Sequence, residues 1–153
     1  MHVILATDAD WLIAEVTAAL DDGDTSFTVC RDGRAVARLV KSATPDLVIL
    51  DMQIGTMGGI AVTMDLRLDE SSGALPHVPI LMLLDRTADI QMSRRSGTDG
   101  WLIKPLDSLR LRRAARAVAA GGCWGEGLPE VATENTVQES SADAPEGEPA
   151  VAG

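Results

Sequence analysis

Asp8, Asp51 and Lys104 are the residues whose types and spacing could do chemistry in this chain of 153 residues. Each follows a short apolar run, at residues 3–6, 47–50 and 101–103. Two carboxylates and an ammonium converging on one pocket suit phosphoryl transfer. Mg²⁺ typically takes one or two carboxylates, several waters and a substrate phosphate. A lysine nearby can offset charge on the transferred group. A lone Asp after a strand more often just opens a turn. The reading therefore depends on elements that bring all three together.

Those elements follow from the pattern along the chain. Residues 47–50 form an unbroken apolar run, short enough for a strand buried on both faces. Residues 3–6, 25–30, 79–84 and 101–103 read as further strands. Between them lie helical stretches. The first opens at Asp10, taken as the N-cap, and repeats Leu12, Ile13, Val16 and Leu20 at helical spacing. Residues 35–40 are helical, as are 60–68, with Met64 and Leu68 as inward candidates. A short polar helix ends near Gly97, and a last one, capped by Asp107, runs to about residue 120. Five alternations of strand and helix predict an α/β fold, a doubly wound five-stranded parallel sheet covered on both faces. In the order 2-1-3-4-5 the first and third strands flank the switch point, where ligands bind at the carboxyl ends of strands.

Composition bounds the rest. Apolar residues are 46% of the chain and aromatic residues only 3%, so aliphatic side chains must fill the core. No apolar run is long enough for a membrane span, and the N-terminus lacks a signal-peptide layout. A cytoplasmic protein is expected. Cys30 and Cys123 form no CxxC pair and read as free thiols. With His2 and His77 the only histidines, no Cys/His metal cluster can be built. The net charge is −10, and seven acids with no base fall between Gly125 and Gly153. Such a balance disfavours nucleic acid, which is bound through Lys and Arg. Residues 1–122 therefore read as one domain, and 123–153 as an acidic, disordered tail.

From about His2 to Ala120 the chain resembles the receiver domain of bacterial response regulators, of the CheY-like superfamily. The resemblance is carried by Asp8 after the first strand, by Asp46-Leu47-Val48-Ile49-Leu50-Asp51 with Gly59 eight residues on, and by Lys104-Pro105. It implies that Asp51 is the phosphoacceptor and that Lys104 contacts the phosphoryl group. It also implies Mg²⁺ held by Asp8, Asp51 and the backbone carbonyl of Gln53. A sensor histidine kinase or other phosphodonor would be the upstream partner. Downstream, a protein partner would dock on the face built from the fourth and fifth βα units.

Several positions depart from the family pattern. Thr7 stands where a second acid is usual, which should weaken Mg²⁺ binding. Leu84 stands at the switch position usually held by Ser or Thr, and losing its hydrogen bond to a phosphoryl group costs on the order of 1.5–3 kcal/mol. Asp85 follows, with a charge that repels phosphate, and Thr87 is too far along to replace the hydroxyl without a rearranged loop. Gly55 replaces a Pro and is expected to loosen its loop. Trp101 occupies the second switch position, usually Tyr or Phe. These departures predict an atypical receiver with a weakened site, signalling through protein contacts, the alternative being a phosphorylation-independent interaction module.

With only a tail after the last helix, the effect is expected to fall on a partner protein, and a homodimer is one arrangement left open. Arg94, Arg95, Arg110, Arg112, Arg113 and Arg116 tint the docking face basic, and the acidic tail could fold over them. Two rivals belong to other classes. Asp8-Ala9-Asp10 mimics the DxD of haloacid-dehalogenase-type phosphatases, but Leu12 lacks the expected type and no late acidic pair follows. A flavodoxin-type FMN binder would need donors where Asp8 and Asp10 offer carboxylates.

Overall fold

The computed structural model describes residues 1–126. The acidic stretch beyond, and the expectation of disorder there, lie outside the described residues. Five parallel strands stand in the order β2-β1-β3-β4-β5. They are β1 (His2–Ala6), β2 (Ser26–Cys30), β3 (Leu47–Asp51), β4 (Ile80–Leu84) and β5 (Gly100–Ile103). The helices between and after them are α1 (Asp10–Leu20), α2 (Val36–Ala43), α3 (Gly59–Ser71), α4 (Ile90–Ser96) and α5 (Ser108–Ala119). Short 3₁₀ turns, Gly33–Ala35 and Thr87–Asp89, lead into α2 and α4.

Strand alternation divides the core into two layers. Ile4, Val48, Leu50, Ile80 and Met82 face Val36, Val40, Val62, Leu66 and Ile90 of α2, α3 and α4. Val3, Leu5, Leu47, Ile49, Leu81 and Leu83 face Leu12 and Val16 of α1, and Leu111, Ala114, Ala115 and Val118 of α5. Every residue of β3 and β4 is buried, as continuous apolar runs in a doubly covered sheet must be. Aliphatic side chains do fill this core, with Trp101 the one fully aromatic side chain deep in it. Among the described residues no helix is long and apolar enough to cross a membrane. Cys30 is buried, Cys123 exposed, and both are free.

Two local expectations are corrected. Asp10 does not cap α1: Ala9 is the N-cap, without a side-chain hydrogen bond, and Asp10 is the first helical residue. It lies at the surface, 2.6 Å from Arg31. Met64 and Leu68 do not face inward, being 58% and 67% exposed. The buried stripe of α3 is Gly59, Val62, Thr63 and Leu66, and the 3.6-residue turn puts Met64 and Leu68 off it. Past α5 the chain returns to the sheet, where Trp124 pairs with Gly100 on the edge of β5. The Asp107 cap of α5 is borne out, its carboxylate accepting the Arg110 N–H at 3.1 Å.

At the amino end of the sheet, away from the residues of interest, Arg67 ties three segments together. Its guanidinium donates to the carbonyls of Gly97 and Val78, both at 2.8 Å, and to Asp99 at 2.7 Å. Glu70 pairs with the same guanidinium and accepts the Val78 N–H, while Asp99 accepts the Ile80 N–H. His77 sits between Glu70 and Asp99, 3.2 Å from each. This network aligns the starts of β4 and β5 against α3, and so sets where their far ends emerge.

At the carboxyl end, Gly59 lets α3 start hard against β3. A Cβ there would come 2.8 Å from the Met52 Cα and 2.9 Å from the Asp51 carbonyl oxygen, both immovable backbone. Gly59→Ala is expected to lower stability by about 1–3 kcal/mol through overpacking. A urea midpoint unchanged from the parent chain would contradict that close fit.

Candidate functional site

The strand order places the ends of β1 and β3 side by side, with β5 two strands from β3. Asp51, the last residue of β3, is 3% exposed. A carboxylate this deep needs donors, since an unpaired buried charge costs several kcal/mol. It has three. Its Oδ1 accepts the Lys104 Nζ at 2.8 Å and the Gln53 N–H at 3.0 Å. Its Oδ2 accepts the Thr7 hydroxyl at 2.7 Å.

Thr7 is thus more than a missing acid. It is fully buried, and its oxygen also accepts the Ala9 N–H at 3.2 Å, fastening the start of α1 to the same point. A neutral donor here does for Asp51 what a second carboxylate could not do unaided. Asp8, next along, is exposed, and its Oδ2 accepts the Gly55 N–H at 3.1 Å. A side chain at position 55 would begin 2.9 Å from that oxygen. Gly55, expected only to loosen the β3–α3 loop, therefore ties it to the end of β1. A proline would offer no N–H at all.

The loop is held from its other side as well. The Thr56 hydroxyl donates to Asp32, and Thr56 takes a left-handed backbone, φ 68°. That hydrogen bond, helped by the Arg34 N–H, holds the Asp32 carboxyl below its ordinary value. Gly33 admits the Met57 carbonyl so closely that a Cβ would lie 2.0 Å from its oxygen.

Lys104 follows β5, and its backbone N–H donates to the Leu84 carbonyl at 2.8 Å. Strands are about 4.8 Å apart, so its ammonium must cross roughly 10 Å, over the end of β4, to reach Asp51. Asp85 lies on that route, and its Oδ1 is 3.0 Å from the ammonium. The ring of Trp11 is 5.9 Å from the same nitrogen, within cation–π range. Burial works against the charged lysine. The hydrogen bonds to Asp51 and Asp85 outweigh it and raise the ammonium above its ordinary value. Lys104 is accordingly a full cation at neutral pH, held by two carboxylates.

Leu84 is fully buried in the core and brings no hydroxyl to the site. Thr87 is exposed in the 3₁₀ turn that follows. Trp101 is 7% exposed and packs in the layer of Ile80, Met82 and Leu84. Asp10 turns to Arg31 at the surface, which leaves the DxD reading without its acid/base. The structure therefore brings Asp8, Asp51, Gln53 and Lys104 to the carboxyl end of the sheet, and adds Thr7 and Asp85. No local signal marked Thr7 as a donor to Asp51, since the pairing spans 44 positions. Two carboxylates and a backbone carbonyl fit a divalent cation only in a sparse form.

Known proteins resemble this chain in sequence and in fold. The model of the response regulator receiver domain matches residues 3–116. The DNA-binding response regulator MtrA of Mycobacterium tuberculosis is 34% identical over 74% of this chain, and the chain spans about half the length (49%) of that relative. Protein PilH of Pseudomonas aeruginosa is 26% identical over 78% of the chain and 98% of its own length. Among solved structures, the chemotaxis response regulator CheY4 of Vibrio cholerae superposes with a TM-score of 0.67 at 25% identity, covering 76% of this chain and 97% of that one.

The Thr7–Asp51 bond can be tested directly. Thr7→Val keeps the shape and removes the donor, leaving one oxygen of a buried carboxylate short of a partner. A loss of about 1–3 kcal/mol is expected in urea unfolding, and an unmoved midpoint would mean that Oδ2 does not depend on Thr7.

Proposed function

The chain belongs to the response regulator receiver domain family, and from that membership we propose that it is a receiver whose phosphate site is attenuated by its own side chains. Asp51 is the phosphoacceptor. One of its oxygens attacks phosphorus in a phosphohistidine of a sensor kinase or in a small phosphodonor. A P–O bond forms, the P–N or P–O bond to the donor breaks, and the leaving group carries away the electron pair. Receiver domains typically bind Mg²⁺ at this point. In this chain Asp8, Asp51 and the Gln53 carbonyl would hold it, where it supplies positive charge against the phosphoryl oxygens.

The observation that carries the reading is the double pairing of Lys104. For Lys104 to meet a phosphoryl oxygen it has to give up part of its contact with Asp51 or Asp85. Hydrogen bonds to charged groups are worth about 1.5–3 kcal/mol, roughly ten- to a hundredfold in an equilibrium. Leu84 offers no hydroxyl in return, and Asp85 puts a second negative charge beside the incoming phosphate. Thr7 leaves the cation one carboxylate short. Every one of these features acts in the same direction: slow phosphorylation and a short-lived or weakly coupled product.

The output in this reading is a protein contact on the face built by α4, β5 and α5. A second reading, a module that signals without phosphorylation, is favoured by the same ion pairs. With Asp51 and Lys104 satisfied by Thr7, Gln53 and Asp85, the folded state does not need a phosphoryl group to complete it.

Incubation with Mg²⁺ and acetyl phosphate, read by intact mass, separates the two. Slow, partial gain of a single phosphoryl group, abolished in Asp51→Asn, is expected. Asp85→Ala should speed the gain by on the order of tenfold, as one competing ion pair is removed. Rapid and complete labelling of the parent chain would overturn the attenuation. No labelling of either the parent or Asp85→Ala would leave the phosphorylation-independent module as the function.

A further inference from the structure

The edge of β5 carries a segment that the alternating strand–helix plan does not require. After α5 the chain turns back through Gly121, whose φ is 92°, and Trp124 bridges Gly100 in parallel. The Trp124 carbonyl accepts the Trp101 N–H at 3.1 Å, and the Trp124 N–H donates to the Asp99 carbonyl at 3.2 Å. Two residues on, Glu126 makes three kinds of contact. Its main-chain carbonyl accepts the indole Nε1–H of Trp101 at 2.9 Å. Its carboxylate accepts the Ile103 N–H at 3.2 Å and grips the guanidinium of Arg110 with both oxygens, the Nε contact being 2.7 Å.

The seat is shaped for this occupant. A Cβ on Gly100 would come 3.0 Å from the Trp124 carbonyl oxygen, and one on Gly125 would come 2.9 Å from Cζ2 of the Trp101 ring. Glycine at both places lets an extended strand lie flat over the indole. The fit is incomplete at one atom, because the Trp124 indole N–H is buried without a partner among the described residues. That cost makes the segment easier to displace than the strands beneath it.

We propose that the β5 edge is a strand-addition site for an extended segment that carries a side-chain carboxylate two residues past its paired position, and that Trp124–Gly125–Glu126 is its resident occupant in cis. While seated, the segment closes the N–H groups of Trp101 and Ile103 that a bare edge would offer. It also neutralises Arg110 and pins the Trp101 indole inward. A partner that reads the β5 edge has first to displace it. The regulatory meaning of Trp101 rests on the receiver reading above, whereas the occupancy of the edge does not.

Amide and indole hydrogen exchange, followed by NMR in the full chain without Mg²⁺ or phosphodonor, tests this. Gly125→Val forces a side chain into the indole ring and should unseat the segment. The expected result is exchange about tenfold faster at the Trp101 indole N–H and at the Trp101 and Ile103 amides, the share of one lost hydrogen bond. The Leu81 and Leu83 amides of the sheet centre should keep their parental rates. Glu126→Gln, a milder change, should speed exchange at Ile103 and at the Arg110 Nε–H. Edge exchange unchanged in both variants would overturn the proposal. The measurement involves no phosphate, so a failure of Asp51 to label leaves it standing, and its own failure leaves the labelling result untouched.

Discussion

A carboxylate buried to 3% exposure at the end of β3 is the constraint on which this structure turns. Withdrawn from water, Asp51 needs donors arranged around it before the chain folds stably. The strand order answers that need. β1 must adjoin β3 for the Thr7 hydroxyl to reach Oδ2. The loop after β3 must curl at once for the Gln53 N–H to point back. β5 must stand two places away, at the reach of a lysine side chain. Move β1 or β5 by one position and the carboxylate loses a partner.

The same geometry explains why position 85 matters so much. The lysine has to pass over the end of β4, and whatever follows β4 lies in its path. A small residue there would leave the ammonium to Asp51 alone. Asp85 divides its attention instead, and Trp11 lies along its flank. Selection of side chains at two positions, 7 and 85, thus alters the electrostatics of the pocket while every strand and helix of the receiver scaffold stays in place.

How much of this was legible beforehand depended on the range of the interaction. The apolar runs of β3 and β4 and the Asp107 cap follow from local patterns, the strand order follows from the doubly wound topology, and all appear in the structure as read. The convergence of Asp8, Asp51 and Lys104 was legible because the topology rule places strand ends together. Met64 and Leu68 misled because α3 carries apolar residues on more than one face, and hydrophobicity alone does not say which face turns inward. The role of Thr7 and the hub at Arg67 were hidden for a different reason. Their partners lie up to 44 residues away, and no spacing along the chain announces them. The return of the chain at Trp124 was masked by its Gly-rich composition, which reads as a linker but here permits close packing on an indole.

That return has a consequence for assembly. An open five-stranded sheet has two edges, β2 and β5, and a molecule with two bare edges can add copies at both without limit. Among the described residues, Trp124 and Glu126 take up the Trp101 and Ile103 N–H groups of β5, whereas no strand lies beyond β2. The two edges of the sheet are therefore unequal, and a copy that pairs at the N–H groups of β5 has first to free them. The same three residues that cover an indole thus give one sheet two unlike edges.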